Sequence, residues 1–402
     1  MNGSARESTS VAIVGAGPAG LTLGHILAQA GVPFRIIERT TREHLLGRVR
    51  AGVLEQGTVD LLASLGLDAD LRRRGLTHHG IYLQYEGRRH HVDFDELVGR
   101  TVTVYGQQAL VAHLLAEHDR IGSDVRFETT GMQVDGLTTS SPTVHYVDAS
   151  GPVELSCDVV VGADGYHGIG RQSLPAASRV AWERAYPYAW LGILADVEPS
   201  TDDLIYALHR DGFAMHSMRS REVSRLYLQV APDESIDDWS DGRIWEALQT
   251  RLGVDGWTLA EGAVTEKSIT PMRSFVASCL SHGRLFLAGD AGHIVPPTGA
   301  KGLNSAVADV ALLGRALLDH RAGDDTGLAT YSERALARQW KVQQFSQWMT
   351  QMLHVHDDGD ASERGFAYRS QVGQLEYVTR SRAAQQSLAE QYAGLPFSEG
   401  AA

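Results

Sequence analysis

A glycine-rich turn near the start of the chain has the spacing needed to hold a dinucleotide. Gly15, Gly17 and Gly20 form a Gly-x-Gly-x-x-Gly motif, and Glu38 follows roughly 20 residues later. The first glycine permits a tight turn, the second lets the backbone approach a pyrophosphate, and the third lets a helix pack on a strand. The carboxylate of Glu38 is placed to bind a ribose. The motif alone is weak, but its place between a strand and a helix favours bound NAD or FAD.

A second group of polar residues could bind a carboxylate. Ser217 and Arg219 are two residues apart, and Arg225, Tyr227 and Gln229 follow after a short turn. Side chains two apart on a strand share a face, and a guanidinium between hydroxyls can hold a carboxylate in bidentate geometry. A solvated hairpin with surface charges explains the same pattern. From periodicity alone, that simpler interpretation is the better one.

The elements around the glycine turn predict an α/β fold. Residues 11–14 and 34–37 are short apolar strands on either side of a helix at 21–30, and this order implies a parallel sheet. Two later apolar strands, 158–162 and 284–290, run into turns that pair glycine with an acid. Between them, the pattern of residues 188–230 changes to alternating strands separated by tight turns. This pattern indicates an antiparallel sheet inserted into the first domain.

The last quarter of the chain has a helical pattern, with helices expected at 306–318, 331–352 and 365–392. We therefore predict a mixed α/β (α+β) protein with a Rossmann-like nucleotide-binding domain at 1–178, which has a small β insertion near 75–105. An antiparallel-sheet substrate domain follows at 179–272. Residues 273–402 complete the first domain and form a helical C-terminal region.

Composition narrows the classes of partner. The chain has 402 residues, 36 Lys+Arg against 49 Asp+Glu, and a net charge of -13. This charge argues against nucleic acid or an anionic membrane as partner, so an anionic substrate needs a local basic pocket. We expect no membrane span, and residues 1–10 lack an apolar core, so we expect a loose tail rather than a signal peptide.

Cysteine and histidine usage argues against a metal site. The only cysteines are Cys157 and Cys279, with no Cys-x-x-Cys, which fits a reducing cytoplasm. The pairs at 78–79 and 90–91 are adjacent histidines that do not share a face of a strand. We expect the segment 354–358, which contains two further histidines, to be an exposed loop.

Three motifs in order resemble those of the group A flavoprotein monooxygenases. The glycine turn is followed by Asp164 in Gly-Ala-Asp-Gly and by Asp290 in Gly-Asp-Ala. The run His-Ile-Val-Pro-Pro-Thr-Gly-Ala-Lys-Gly-Leu-Asn at 293–304 is similar to the 4-hydroxybenzoate hydroxylases, and the similarity extends from about residue 11 to 397. This resemblance implies FAD as the bound cofactor and NADPH or NADH as the reductant.

The resemblance also implies roles for individual residues. The implied catalytic residues are Tyr206, Tyr392, Pro297 and Thr298, in which the two tyrosines relay a proton from the substrate phenol and the carbonyl of Pro297 orients its hydroxyl. The implied substrate-binding residues are Ser217, Arg219, Tyr227, Tyr206 and Pro297. The cofactor residues are Gly15, Gly17, Gly20, Glu38, Arg48, Arg50, Gln107, Asp164, Arg225, Asp290, Pro297, Gly302, Leu303 and Asn304. The coenzyme contacts are Arg39, His44, His167 and Arg273.

The reaction implied by the resemblance is hydroxylation of 4-hydroxybenzoate at C3 to protocatechuate, with NAD(P)H and O2. A flavin C4a-hydroperoxide would attack the substrate phenolate, and a homodimer is implied. Coenzyme choice stays open, because His44 stands where NADPH-selective members have Tyr. Substrate identity stays open too, because Met215, Met218 and Leu226 depart from the best-known members. Another para-substituted benzoate, an amino- or dihydroxybenzoate, is the alternative.

Two more distant functions remain as alternatives. A flavin-dependent halogenase shares the nucleotide fold, but the sequence has no Trp-x-Trp-x-Ile segment. A dinucleotide-sensing regulator would not be an enzyme at all. The acidic charge and the lack of a recognisable DNA-binding module argue against that function.

Overall fold

The computed structural model describes residues 4–47, 50, 52–356 and 359–397. The strands are β1 (Ala5–Ser8), β2 (Val11–Val14), β3 (Phe34–Ile37), β4 (Val53–Glu55), β5 (Leu76–His78), β6 (Gly80–Tyr85), β7 (Arg88–Asp93), β8 (Val102–Val104), β9 (Val125–Arg126), β10 (Thr130–Asp135), β11 (Thr143–Asp148), β12 (Gly151–Ser156), β13 (Val159–Gly162), β14 (Ala181–Asp196), β15 (Leu204–Leu208), β16 (Ala214–Met218), β17 (Ser224–Val230), β18 (Ala263–Ala277), β19 (Ser281–His282), β20 (Leu285–Leu287) and β21 (His293–Ile294). The helices are α1 (Pro18–Gln29), α2 (Arg42–Gly47), α3 (Gln56–Ser64), α4 (Ala69–Arg74), α5 (Phe94–Val98), α6 (Gln107–Arg120), α7 (Ile169–Gln172), α8 (Asp241–Leu252), α9 (Gly302–Arg321), α10 (Thr326–Leu353), α11 (Ala361–Arg380) and α12 (Arg382–Ala393).

A six-stranded sheet, which contains β2 and β3 on either side of α1, forms one half of the fold. Its order is β19-β20-β13-β2-β3-β9, and every pairing except that of β19 is parallel. All four residues of β2 are buried, as expected for a central parallel strand covered on both faces. The predicted strands at 11–14 and 34–37 have these bounds, and the mixed α/β fold class is confirmed.

An eight-stranded sheet forms the other half, in the order β21-β18-β14-β17-β16-β15-β6-β7. Its pairings are antiparallel except one, because β15 pairs in parallel with β6. The insertion expected near 75–105 therefore extends this eight-stranded sheet through β6 and β7. Local alternation in the sequence could not reveal a pairing between strands about 120 residues apart, because nothing in either strand specifies its partner.

Two expectations about the chain ends are wrong. Residues 5–8 are not a loose tail, because β1 pairs in parallel with β12 at the edge of a sheet ordered β1-β12-β11-β10. Backbone hydrogen bonds, rather than buried apolar side chains, hold this polar strand in place. The sequence therefore has no hydrophobic pattern here that would predict a strand. The single helix expected at 365–392 is two helices, with Ser381 between them accepting a bond from Ala384 N. No helix in the described part of the chain is long and apolar enough to cross a membrane.

The two faces of the large sheet have different neighbours. Tyr206, Met215 and Tyr227 lie opposite one another across β15, β16 and β17, so they share one face. Their apolar cluster includes Phe345 of α10 and Tyr392 of α12. Leu226 points the other way, into a cluster with residues of α8. The expectation that Leu226 shapes the substrate pocket is therefore wrong, although Met215 keeps its place on that face.

Candidate functional site

The glycine turn has the geometry that a dinucleotide requires. Gly15 has a φ of 106°, and a Cβ there would lie 2.4 Å from the carbonyl oxygen of Ala163. At Gly20, a Cβ would lie 2.0 Å from the carbonyl oxygen of Gly15. At Gly17, a Cβ would meet nothing within 4 Å. The turn is therefore closed against the protein on two sides and open at Gly17, next to the start of α1, so the residues present fit a bound pyrophosphate.

Glu38 stands directly after β3 and holds the turn in place. One carboxylate oxygen accepts a bond from Ala16 N at 2.9 Å, and the other accepts bonds from Thr40 N and Oγ at 2.9 and 2.8 Å. The side chain is buried. A carboxylate has about four lone-pair sites, so Glu38 keeps acceptor capacity for a ribose hydroxyl.

Asp164 and Asp290 end two neighbouring strands of the same sheet. Asp164 accepts a bond from Gly170 N at 2.8 Å, while its other oxygen is buried without a partner in the described structure. Burial raises the pKa of Asp164. Asp290 lies 3.4 Å from Arg50, and both side chains are partly exposed. The unpaired oxygen of Asp164 and the partly exposed carboxylate of Asp290 both fit a polar ligand bound along this edge of the sheet.

The start of α9 is open to a ligand at its first residue. A Cβ at Gly302 would meet nothing within 4 Å, and Leu303 packs against the nucleotide-domain core. The side chain of Asn304 is saturated, because it accepts from Glu55 N and Thr58 Oγ and donates to two backbone carbonyls. Asn304 therefore reaches a cofactor only through its backbone.

A buried ion pair near this helix start has no local sequence signal. Lys301 donates to Glu55 at 2.6 Å, to the Tyr392 carbonyl at 3.0 Å and to the Gln391 carbonyl. Both charged side chains are 3% exposed, and Arg338 lies 3.6 Å from the second oxygen of Glu55. Burial lowers the pKa of Lys301. The pair fixes the segment around Tyr392 against the start of α9.

The structure brings Tyr206 and Tyr392 together. Their hydroxyl oxygens are 2.6 Å apart and both side chains are buried. Burial raises the pKa of both phenols above the usual value. Since neither readily becomes a phenolate, the pair can pass a proton along its hydrogen bond without storing charge.

Two arginines lie close to Tyr227. Arg219 donates to the Arg50 carbonyl at 3.1 Å and to Gln108 at 2.8 Å, and it packs where a Cβ on Gly106 would be. Arg225 donates to the Tyr227 hydroxyl and has one buried nitrogen without a partner in the described residues. Burial lowers the pKa of Arg219, and the charge of Arg225 lowers it further.

These arginines form a positively charged site. Within the described ranges neither guanidinium forms a salt bridge, although the charge of Glu266 acts on Arg219 from farther away, so a bound anion would offset the burial and mutual repulsion of both groups. Ser217 lies opposite Arg225 in the sheet register and is buried, with only a long contact to the Met218 carbonyl. Its hydroxyl therefore remains available to a ligand.

Gln229 shares the face of Tyr227 but has a structural role. Its amide oxygen accepts from Phe213 N and Val355 N at 3.0 Å each, and its amide nitrogen donates to the Val355 carbonyl at 2.7 Å. Gln229 thus joins the segment that follows α10 to the sheet by hydrogen bonds.

The turn before α9 contains the other two residues assigned to catalysis. Pro297 and Thr298 belong to a short 3-10 turn, Pro297–Gly299, and Thr298 accepts a bond from Thr350 Oγ at 2.9 Å. Helix α10, which contains Thr350, therefore supports this turn.

Gln107, which is assigned to the cofactor, is the first residue of α6. It directly follows Gly106, against which Arg219 packs.

Of the four residues expected to contact the coenzyme, three are exposed and Arg273 is half-buried. The exposed residues are His167, Arg39 and His44, and Arg273 lies over the ring of Tyr166 at 3.7 Å. His44 is on α2, where its backbone N–H donates to Thr41. Arg48, assigned to the cofactor, lies outside the described residues.

One histidine expectation needs revision. His354 is not in an exposed loop: it is fully buried at the end of α10, and Asp357 and Asp358 lie outside the described residues. His78 and His91, one from each adjacent pair, meet at Asp203, with nitrogen–oxygen distances of 3.0 and 2.8 Å. Among the residues described, no group of three or more His, Cys, Asp or Glu could hold a metal ion.

Comparison with known proteins gives one consistent family. A family model described as "FAD binding domain" matches residues 8–346. The p-hydroxybenzoate hydroxylase of Acinetobacter baylyi is 42% identical over 392 residues, which cover 97% of this chain and 96% of that protein. The 3-amino-4-hydroxybenzoate 2-monooxygenase of Streptomyces cremeus is 24% identical over 380 residues, covering 88% and 90%.

Solved structures agree at the level of the fold. The p-nitrophenol 4-monooxygenase PnpA from Pseudomonas putida DLL-E4 superposes with a TM-score of 0.80 at 19% sequence identity. The match covers 96% of this chain and 99% of that one. At this identity the likeness is evidence for the architecture alone.

Proposed function

Since the chain belongs to the family of FAD-dependent aromatic hydroxylases, we propose that it hydroxylates 4-hydroxybenzoate at C3 to give protocatechuate. The predicted flavoprotein monooxygenase class and the FAD cofactor are confirmed by this membership. The observation that carries the proposed substrate is the buried Tyr206–Tyr392 hydrogen bond. Tyr206 lies on the same sheet face as Tyr227, whose hydroxyl accepts a bond from Arg225. A ring with an acidic group at one end and a phenol at the other suits this arrangement.

The carboxylate of the substrate is assigned to Arg219, Ser217 and Tyr227. Two of the five guanidinium N–H groups of Arg219 are used within the protein, which leaves donors for a carboxylate. The depressed pKa of Arg219 supports this assignment, because a nearby anion favours the charged form of a partly desolvated guanidinium. The acidic protein as a whole repels such an anion, so this local positive charge selects it.

The phenol of the substrate is assigned to Tyr206. A phenol has a pKa near 10, and ring carbons beside a phenolate are far more electron-rich, so deprotonation is the main task of the protein. Tyr206 would accept the proton and Tyr392 would carry it away along the 2.6 Å bond. The carbonyl of Pro297 would orient the substrate hydroxyl, and Thr298 would support that turn.

FAD would be held by the residues that the resemblance assigns to the cofactor: Gly15, Gly17, Gly20, Glu38, Arg48, Arg50, Gln107, Asp164, Arg225, Asp290, Pro297, Gly302, Leu303 and Asn304. When bound, it accepts hydride from NAD(P)H and activates O2, so that one oxygen atom enters the ring and the other leaves as water. The burial of both tyrosines supports water exclusion during this chemistry.

Several finer assignments belong to the same proposal. Arg39, His44, His167 and Arg273 would contact NADPH or NADH. Segments 1–178 and 273–402 would form the FAD domain and 179–272 most of the substrate domain. A homodimer formed through the C-terminal helices and a cytoplasmic location complete it; two free cysteines support the latter.

A different para-substituted benzoate is the second candidate substrate. Met215 lies between Tyr206 and Tyr227 in the sheet register, at a position facing the proposed pocket. The similarity to the Streptomyces cremeus enzyme, whose name specifies an amino-hydroxybenzoate, supports this alternative.

The test measures NADH and NADPH oxidation by the FAD-loaded protein, with and without 4-hydroxybenzoate, and identifies the product by chromatography. Faster oxidation with an equal amount of protocatechuate is the expected result, and the same assay identifies the coenzyme. Faster oxidation with hydrogen peroxide as the only product would make 4-hydroxybenzoate an effector and point to the amino- or dihydroxybenzoate. No response to any of these compounds would refute the proposed substrate class.

A further inference from the structure

His354 lies in a cage of aromatic rings behind the proposed substrate pocket. Its imidazole stacks on Tyr188 and Phe213, with ring centroids 4.7 and 4.5 Å apart, and it lies nearly parallel to Trp190 at 5.9 Å. The side chain is fully buried at the C-terminal end of α10.

The hydrogen bonds of His354 define its protonation state. Trp190 Nε1, which can only donate, lies 2.6 Å from His354 Nε2, and the Thr350 carbonyl, which can only accept, lies 2.9 Å from Nδ1. The imidazole must therefore be the neutral tautomer with its proton on Nδ1. A protonated imidazole would place its Nε2–H directly against the Trp190 Nε1–H in a buried site. Burial accordingly lowers the pKa of His354 to about 3.

The rings held by His354 touch both phenols assigned to the substrate. Trp190 packs against Tyr227 with ring centroids 4.7 Å apart and is stacked on Phe213 at 5.2 Å. Phe213 in turn approaches Tyr206, at 6.2 Å. One imidazole thus supports the carboxylate end and the phenol end of the pocket through a single layer of rings.

The same helix end also supports the turn before α9. Thr350, whose carbonyl accepts the bond from His354, donates its hydroxyl to Thr298 at 2.9 Å. Thr350 and His354 are four residues apart and so lie on one face of α10. The position of the imidazole is therefore coupled to both sides of the pocket: the sheet wall and the Pro297–Gly299 turn.

We propose that His354 is a positioning residue of this pocket: by accepting the Trp190 N–H, it fixes the Trp190–Phe213 wall that holds Tyr227 and Tyr206 in place for an aromatic carboxylate. This inference rests on the proposed function, since it concerns the same substrate site. His354 touches neither substrate nor cofactor in this scheme. Its effect is on substrate affinity and on the fraction of coenzyme oxidation that yields hydroxylated product.

Three variants separate positioning from ordinary stabilisation. His354→Phe keeps a ring in the cage but leaves the Trp190 N–H without an acceptor, whereas His354→Gln supplies an amide acceptor. His216→Phe is the matched control, because His216 is an equally buried histidine that accepts a bond from Ser200 N, but on the opposite face of the sheet. Loss of a buried acceptor destabilises both sites to a similar degree.

The measurements are the Kd for 4-hydroxybenzoate by equilibrium titration, the yield of product per coenzyme oxidised, and the Tm, all on FAD-loaded protein. We expect His354→Phe to raise the Kd by about tenfold or more and to divert oxidation toward hydrogen peroxide, because the wall shifts when the indole N–H is unpaired. His354→Gln should recover most of both losses. His216→Phe should lower the Tm while leaving the Kd and the yield at the wild-type values.

The outcomes distinguish this inference from the proposed function. If wild-type protein binds 4-hydroxybenzoate and His354→Phe lowers only the Tm, as the control does, the positioning role is refuted and the proposed function stands. If the wild type binds 4-aminobenzoate instead, the substrate proposal falls and the same variants are compared with that ligand. If it binds neither compound, the pocket assignment is overturned and both proposals fail with it.

Discussion

Replacing either member of the buried tyrosine pair by phenylalanine should stop hydroxylation while sparing coenzyme oxidation. The two hydroxyl oxygens are 2.6 Å apart and the pair lies 1% exposed, so neither phenol has ready access to water as a substitute partner. A positioned acid–base group typically contributes roughly 10²–10⁴-fold to a rate. We therefore expect Tyr206→Phe and Tyr392→Phe each to reduce hydroxylation by a factor in that range.

The double variant provides the sharper test. If the two hydroxyls act as one relay, removing both should cost about as much as removing one, because a broken relay has no further step to lose. Stability should follow a different pattern. Each single variant leaves a buried hydroxyl unpaired, at about 1–3 kcal/mol, while the double variant leaves none.

The assay follows flavin reduction in stopped flow and product formation by chromatography in the same preparations. Flavin reduction in the presence of substrate should stay near the wild-type rate in all three variants. Wild-type product yield in Tyr206→Phe would refute the relay. Independent, multiplicative losses in the double variant would mean that the tyrosines act separately, despite their hydrogen bond.

Three further outcomes are expected. Arg219→Ala should weaken 4-hydroxybenzoate binding by about 2–5 kcal/mol in a flavin-absorbance titration, since a buried carboxylate would lose its cation; a small change would place the carboxylate elsewhere. Gly15→Ala should destabilise even the FAD-free protein in urea, because its φ is 106° and a Cβ would lie 2.4 Å from a backbone oxygen, whereas Gly17→Ala should lower only the flavin-to-protein ratio. Stability should fall as the pH drops below 6.5, since burial lowers the pKa of His118 to about 4 and that of His354 to about 3, so the unfolded chain takes up these protons first. Each histidine should cost about 2 kcal/mol at about pH 5, and urea midpoints that do not fall in acid would contradict this.

The part of the fold that the sequence predicted well is local. The turn at Gly15, the strands on either side of α1, and the shared face of Arg225 and Tyr227 all follow from neighbouring residues. Glycine adopts left-handed backbone at no steric cost, and a two-residue period places alternate side chains on one face, whatever the rest of the chain does. The resemblance added the residue roles that spacing alone left open.

What the tertiary structure decided concerns pairs that are distant along the chain. Tyr206 and Tyr392 are 186 residues apart, and Lys301 and Glu55 are 246 apart, yet both pairs are in direct contact. His354 appeared in a polar segment and is fully buried. The pairing of β15 with β6 and the capture of residues 5–8 as an edge strand belong to the same class.

The physical reason is the same in each case. A residue's φ/ψ preference and the periodicity of apolar residues depend on its neighbours, so the sequence by itself determined the nucleotide turn and the alternation of the sheet strands. Contact between distant side chains requires that whole faces be buried against one another, and no short segment encodes which faces will meet. The tyrosine pair, the buried ion pair and the cage around His354 are therefore products of packing.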